Sequence, residues 1–329
     1  MNGMNLTSRY LFNEIPDSQK KIEEFGHKAC NVSLAKKWQF PVPDTVFLSG
    51  ELVKEIFEKK YVPAEVLSHF KNKLLAIRPS PVIDLSTKNE PFLYIGLDDQ
   101  SYDILKKRVG IKKAYEIYLS FLKMFSSTVY NLDLENCVEL RSLLEHPKRL
   151  EPIFEESSLD KINRIKQLIS LETKSQFPRN ISEQIIEVIN SIYKSWISPT
   201  QKILREVSGR EREELLPIIL QEMHYGIENK PLENFKVMNF DNKTGKSSYQ
   251  CFRLDKSSEK SSFSPVSEKE ISKLLKFNSL RNLIGSLTNK VKSPLEVSFL
   301  LDGDILFLIG LKEVALPQKK FIEFVVSSV

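Results

Sequence analysis

Short apolar runs alternate with amphipathic segments over residues 1–101, a pattern that predicts a mixture of strands and helices. A loop and a helix are predicted in "DSQKKIEEFGHKACNVSLAKKWQ", and a second helix in "ELVKEIFEKKY". Between them the prolines of "FPVPD" favour an extended chain leading into a strand at Thr45–Leu48. The apolar runs in "KLLAIR" and "FLYIGL" predict two further strands.

Residues 102–196 change to helical periodicity, with apolar side chains recurring every three or four positions. In "IKKAYEIYLSFLKMFSSTVYNL" the stripe that this spacing predicts to be buried comprises Tyr115, Tyr118, Phe121, Leu122 and Phe125. The segments "SLDKINRIKQLISLE" and "SEQIIEVINSIYKSW" follow the same pattern, and Ser182 is a candidate N-cap for the second.

The last third of the chain returns to strand patterns. "LLPIILQEMHYGI" predicts a strand, and "KVMNFDNKTGKSSYQCFRL" predicts a hairpin with Thr244 and Gly245 near its turn. The serine- and lysine-rich "DKSSEKSSFSPVSEKE" predicts a mobile loop, and a helix is predicted around 269–289. "LEVSFLLDGDILFLIGL" predicts a final hairpin that turns at Asp302-Gly303-Asp304.

The order of these elements predicts an α+β fold with mixed sheets and an inserted helical block. We expect three parts: an N-terminal α/β subdomain at 1–101, a helical subdomain at 102–214, and a β-rich C-terminal subdomain at 215–329. The mobile loop is expected at 255–268, within the third part.

Composition narrows the class of protein. The hydrophobic fraction of 41% and the charged fraction of 28% are typical of a soluble globular protein. The net charge of +5 arises from interspersed charges of both signs, so nucleic acid is not an expected partner. No run of roughly 18 apolar residues and no secretory signal is found, so a membrane is not expected either. Cys30, Cys137 and Cys251 lack CxxC spacing, which favours a reducing, cytoplasmic compartment.

Several motifs occur in a recognisable order. "FGHKACNVSLAKKWQFPVPDTVFLSG" contains Gly-x-Lys-x-x-Asn and then Pro-Val-Pro, "LLAIRPSPVIDLSTKNEPFLYIGLDD" joins Arg78 to Gly-Leu-Asp-Asp, and "LEVSFLLDGDILFLIGLK" closes the series. They resemble GGKGANL with PVPPGF, RSGAxxSMPGMMDTxLNLGLND, and QDIEFxxxxGxLYxLQTR of the pyruvate, phosphate dikinase and phosphoenolpyruvate synthase family. "YLSFLKMF", "SWISP" and "LQEMHYGI" resemble further motifs of the family's N-terminal nucleotide-binding region.

The resemblance, which covers residues 26–312, implies an ATP-grasp-type domain from a family of ATP-dependent phosphotransferases. It implies ATP and Mg²⁺ as ligands, with Lys28, Arg78, Glu296 and Lys312 at nucleotide-binding positions and Glu296 at the metal position. It does not identify catalytic residues. No phosphohistidine segment and no phosphoenolpyruvate barrel accompany the domain, so a stand-alone form is expected.

The chain departs from the family pattern at charged and glycine positions. The loop "DLSTKNE" carries Thr87 where the family has a glycine whose backbone approaches phosphates closely. Ser298 takes the place of the second carboxylate, and Mg²⁺ prefers carboxylate ligands. Phe240 and Thr200 take the places of two arginines. We therefore expect nucleotide and magnesium binding to be weak or lost, and catalytic activity to be lost.

Three functions remain open at this point. The first is a catalytically impaired relative that acts by binding nucleotide weakly or by binding a protein partner. The second is an active subunit that phosphorylates a histidine on a separate protein or a small molecule, if the alignment over 240–300 is misregistered. The third is a scaffold whose cleft is filled by Phe240 and Thr87.

Overall fold

The structure is a computed structural model that describes residues 9–16, 21–82, 91–145, 155–209, 215–227, 232–241, 244–255, 262–267, 270, 285–289, 293–303 and 305–314. Its strands form two five-stranded sheets with antiparallel pairing. Helices account for most of the remaining regular structure. The predicted α+β fold class is confirmed, and the architecture is consistent with an ATP-grasp-like fold.

The chain divides into two compact units. The first comprises residues 1–30 and 44–224, and the second comprises residues 31–43 and 225–329. Helix α1 (Ile22–Lys37) begins in the first unit and ends in the second. The three-part division suggested by the sequence stays a prediction.

The sheet of the first unit is built from short apolar strands. They are β1 (Tyr10–Phe12), β2 (Thr45–Leu48), β3 (Leu75–Pro79), β4 (Phe92–Ile95) and β5 (Ile218–Glu222), in the spatial order β1-β2-β5-β3-β4. Every residue of β2 is buried, which explains why its apolar run predicted its bounds so well. The central strand β5 pairs with both β2 and β3, so residues distant in sequence share its edges.

Helices make up most of the rest of the first unit. They are α2 (Gly50–Lys59), α3 (Ala64–His69), α4 (Asp99–Val109), α5 (Ile111–Met124) followed by a π-helical turn (Phe125–Val129), α6 (Val138–Leu144), α7 (Glu155–Thr173), α8 (Ile181–Trp196) and α9 (Pro199–Val207). The predicted aromatic stripe of α5 is buried throughout. None of the helices in the described part of the chain is long and apolar enough to cross a membrane.

One predicted cap is wrong. Helix α8 is capped by Asn180, whose side-chain oxygen accepts a hydrogen bond from the Glu183 amide at 3.0 Å, and not by Ser182. Both residue types satisfy the free amides at a helix start, so the sequence alone did not discriminate between them.

The second unit contains the other sheet. Its strands are β6 (Glu233–Phe240), β7 (Ser247–Asp255), β8 (Ser262–Pro265), β9 (Leu295–Asp302) and β10 (Ile305–Glu313), in the spatial order β10-β9-β6-β7-β8. Both predicted hairpins are confirmed. The prediction of a mobile loop is wrong for Ser262–Pro265, which pair with β7, while 256–261 lie outside the described residues. Of the helix predicted around 269–289, residues 285–289 are helical and most of the remainder lies outside the described residues.

Candidate functional site

Gly26 interrupts helix α1 with φ 76° and ψ 163°, after which the helix resumes. These angles lie in a region that only glycine occupies without strain. A Cβ atom built at this position would lie 1.5 Å from the carbonyl oxygen of Ser80. The glycine is therefore required both by the backbone conformation and by the close approach of the segment that follows β3.

Ser80 fixes this contact through hydrogen bonds. Its hydroxyl donates to the Phe25 carbonyl at 2.8 Å and accepts from the Ala29 amide at 2.9 Å. Ser80 is fully buried, and its own amide donates to the Pro217 carbonyl at 2.9 Å. Since Ala29 lies in the first turn after the break at Gly26, the serine side chain caps the resumed helix. Sequence reasoning missed Ser80 because its partners are 51 and 55 residues away in the chain.

The Gly26–Ser80 contact brings together the segments that carry two predicted site residues. Lys28 follows Gly26 by two positions, and Arg78 at the end of β3 precedes Ser80 by two. Lys28 is partly exposed, whereas the Nε atom of Arg78 has no solvent contact. Burial lowers the pKa of Arg78 to about 10, so the guanidinium remains positively charged at neutral pH. Both residues already interact with other groups of the protein.

The other two predicted residues lie opposite each other in the second unit. Glu296 on β9 is the direct cross-strand partner of Lys312 on β10, so the two side chains lie on the same face of the sheet. Glu296 also pairs with Met238 on β6. The Nζ atom of Lys236, two residues earlier on β6, lies 3.0 Å from the Glu296 Oε1 atom. Lys236 was missed because its proximity to Glu296 depends on strand register.

These residues do not fit a magnesium ion. Mg²⁺ binds carboxylate oxygens at about 2.0–2.1 Å in near-octahedral geometry, but the carboxylate of Glu296 is already ion-paired with an ammonium group. A second lysine, Lys312, lies directly across the hairpin, and Ser298 follows on the same face. Among the described residues no group of three or more His, Cys, Asp or Glu side chains is arranged to hold a metal. The assignment of Glu296 as a metal ligand stays a prediction that this arrangement does not favour.

The segment between β6 and β7 also has a structural explanation. Phe240, which takes the place of a family arginine, is fully buried and packs with Met238, Phe252 and Val314. The predicted turn is confirmed, because the Gly245 amide donates to the Asp241 carbonyl at 2.7 Å. Phe240 is thus a core residue of the second unit. Thr87, the other residue predicted to fill the cleft, lies outside the described residues.

A further charged cluster of the first unit was not singled out from the sequence. The His69 Nε2 atom lies 2.9 Å from Asp44 Oδ1, and Lys73 Nζ lies 2.7 Å from Asp44 Oδ2 and 3.0 Å from Glu222 Oε2. Partial burial would raise the pKa of Asp44, but hydrogen bonds from Lys73, His69 and Asn13 outweigh it and lower the pKa to about 2. The cluster joins the start of β2 to the end of β5.

Comparison with known proteins adds a distant relationship. No model of a known protein family matches the chain. It is similar to pyruvate, phosphate dikinase of Giardia intestinalis, with 22% identity over 245 residues, or 66% of this chain and 28% of the relative. It is also similar to the chloroplastic pyruvate, phosphate dikinases of Arabidopsis thaliana (26% identity; 46% of this chain, 16% of the relative) and Mesembryanthemum crystallinum (27%; 46% and 17%).

These similarities support distant, partial homology to pyruvate, phosphate dikinase over about half of the chain. The matched region spans no more than 28% of the length of these relatives.

Proposed function

We propose that this chain is a pyruvate, phosphate dikinase-like nucleotide-binding domain that binds ATP weakly and does not transfer its phosphoryl group. The partial homology supports the domain type. The observation that carries the loss of activity is that Glu296, the one carboxylate that the resemblance provides for a metal, lies beside two lysines, Lys236 and Lys312.

Weak nucleotide binding is supported by the first unit. Lys28 and Arg78 are cations on two segments held together by the contact between Gly26 and Ser80. The resumed part of α1 adds the positive end of a helix dipole close to Lys28, which favours an anion there. A buried guanidinium that stays charged is suited to a phosphate oxygen. We expect the affinity to be low because both residues already interact with other groups of the protein.

Loss of phosphoryl transfer follows from the electrostatics of the hairpin. Catalysis of this transfer depends on a metal ion that bridges the phosphates and neutralises the charge that develops on them. Glu296 is the one carboxylate that the resemblance provides for that ion, and its Oε1 atom is ion-paired with Lys236. A divalent cation would have to displace the ammonium and tolerate Lys312 opposite.

Isothermal titration with ATP, together with an assay of phosphate release, tests the proposal. We expect dissociation constants on the order of 0.1–1 mM and no turnover above background. Lys28→Met should weaken binding several-fold, while Lys37→Met, which removes an exposed lysine farther along the same helix, should leave it unchanged.

Two results would overturn parts of the proposal. Micromolar binding with turnover, or transfer of labelled phosphate from ATP to a protein or small molecule in cell extract, would favour an active phosphotransferase. The absence of binding at millimolar ATP would exclude the nucleotide and leave protein binding as the function.

A further inference from the structure

The first unit contains a cavity that is separate from the residues discussed above as a nucleotide site. Its volume is about 360 Å³, within the range of small-ligand pockets. Its walls come from the end of α3 and its connection to β3, from the connection between β4 and α4 with the first half of α4, and from the first residue of α8. The residues that matter for its chemistry are Phe70, Lys71, Asn72, Gln100, Ile104 and Ile181.

The back wall of the cavity is held in place by close packing. Gly96 has φ 99°, and a Cβ atom there would lie 3.1 Å from the Lys73 carbonyl oxygen and 3.2 Å from the Ile181 Cδ1 atom. The Gly96 amide donates a 2.7 Å hydrogen bond to the Oε1 atom of Gln184, a buried residue. Lys73 is fixed by its two carboxylate partners, Asp44 and Glu222. A cavity with such walls needs little ordering when a ligand enters.

The lining divides into an apolar and a polar part. Phe70 is buried, and Ile104 and Ile181 present aliphatic surface to the cavity. Lys71, Asn72 and Gln100 are exposed at the rim, and no hydrogen bond or ion pair of their side chains is found among the described residues.

The other charged side chains of the lining already have hydrogen-bond or ion-pair partners. The carboxylate Oδ1 atom of Asp98 accepts a 2.7 Å hydrogen bond from the Ser101 amide and thereby caps α4. Lys73 is balanced by its two carboxylates. The ammonium of Lys71 is therefore the charge of this rim that a ligand can neutralise, with the amide groups of Asn72 and Gln100 as additional hydrogen-bond donors.

We propose that this cavity binds a small organic anion: a carboxylate that contacts Lys71, attached to an apolar ring or chain that lies against Ile104 and Ile181. The anion is selected by the rim, because Lys71 is the lining ammonium without a carboxylate partner in the described chain. The apolar body is selected by Ile104 and Ile181, because each methylene that a ligand buries against them contributes through the hydrophobic effect.

Methyl NMR of the full chain labelled at isoleucine δ1 positions tests this proposal. The probes are phenylacetate and its neutral analogue phenylacetamide, for which affinities on the order of millimolar are appropriate to ligands of this size. We expect phenylacetate to shift the Ile104 and Ile181 signals and leave Ile77, buried in β3, unshifted. Phenylacetamide should bind about tenfold more weakly because it lacks the charge.

Charge reversal at the rim isolates the contribution of Lys71. Lys71→Glu should weaken phenylacetate binding about tenfold and leave phenylacetamide binding unchanged. The matched control, Lys112→Glu, changes an exposed lysine on α5 that does not line the cavity and should alter neither. Absence of shifts at Ile104 and Ile181, equal shifts at Ile77, or equal effects of the two charge reversals would overturn the proposal.

Discussion

The Gly26–Ser80 contact and the Lys236–Glu296 pair both involve segments that resemble nucleotide-ligand motifs, but different forces hold them. The first is a fully buried contact in which a glycine backbone lies against a carbonyl oxygen and one serine hydroxyl makes two hydrogen bonds. The second is an ion pair between side chains that are 26% and 29% exposed. Steric exclusion and buried hydrogen bonds act in the first unit, and partly screened charge acts in the second.

The two regions differ in how strictly each depends on the type of residue present. A backbone frame such as that around Gly26 depends on a few residue types and is needed for folding whether or not a ligand binds. A partly exposed carboxylate such as Glu296 needs only some positive charge nearby. In this chain Lys236 supplies that charge, so the hairpin is electrostatically complete without a metal.

Gly26→Ala should give the largest effect on stability. The alanine would be strained at φ 76° and its Cβ would overlap the Ser80 carbonyl, so we expect a loss of unfolding free energy on the order of 4 kcal/mol. Urea titration followed by circular dichroism measures this loss.

Gly209→Ala is the matched control for Gly26. Gly209 also has a positive φ, of 69°, but a Cβ there would meet nothing within 4 Å. Gly209→Ala should lower the unfolding free energy by about 1–2 kcal/mol, the usual cost of a left-handed backbone conformation for a residue with a Cβ. Equal losses of unfolding free energy for the two variants would show that the contact with Ser80 relaxes freely. Steric exclusion would then not be what holds this region of the first unit.

Ser80→Ala should have the next largest effect on stability, a loss of about 2 kcal/mol in unfolding free energy. The substitution removes the buried hydroxyl that hydrogen-bonds to the Ala29 amide and the Phe25 carbonyl. Ser120→Ala is the control, since the Ser120 hydroxyl also donates to a backbone carbonyl, that of Glu116, but at an exposed position of α5. It should change the unfolding free energy by less than about 0.5 kcal/mol. A similar loss in both variants would contradict the assigned role of the buried hydroxyl.

Asp44 is a carboxylate with several hydrogen-bonding partners, so its stabilising effect should exceed that of Glu296. Its pKa is about 2 in the folded protein against 3.8 ordinarily, so its stabilising contribution is present above pH 3.8 and is lost as pH falls through 2. We expect this contribution to be about 2 kcal/mol. Between about pH 5 and about pH 2, the unfolding free energy of the unmodified chain should therefore fall by this amount more than that of Asp44→Asn. An unchanged pH dependence would contradict the depressed pKa.

The parts of the fold that the sequence predicted well are those fixed by local pattern. The run at Thr45–Leu48 is preceded by prolines and followed by Ser49-Gly50, and it becomes a strand with those ends. The final hairpin is set by two apolar-rich runs, one before Asp302 and one from Ile305, which pair with each other. The apolar run in "KLLAIR" predicted a strand, and Arg78 lies near the end of that strand, β3.

The parts that the sequence did not predict depend on contacts with other segments of the chain. The serine-rich Ser262–Pro265 has little intrinsic strand preference and becomes a strand because it pairs with β7. Lys236 lies beside Glu296 only in the register that pairs Met238 with Glu296. Ser80 acts on residues that α1 brings against the end of β3. For Lys236 and Ser80 the decisive interaction joins residues far apart in the chain, where periodicity carries no information.

The smallest expected effect is that of separating Lys236 from Glu296. A double-mutant cycle with Lys236→Met and Glu296→Gln should give a coupling free energy of about 0.5 kcal/mol, because water and salt screen a pair at this exposure. The coupling should fall further as salt is added, since the Debye length is about 10 Å at 0.1 M and about 3 Å at 1 M. The effect of Ser80→Ala, which removes buried neutral hydrogen bonds, should not change in this way. A coupling above about 3 kcal/mol that resists salt would place Glu296 in a desolvated environment, and the two regions would then be held by forces of the same kind.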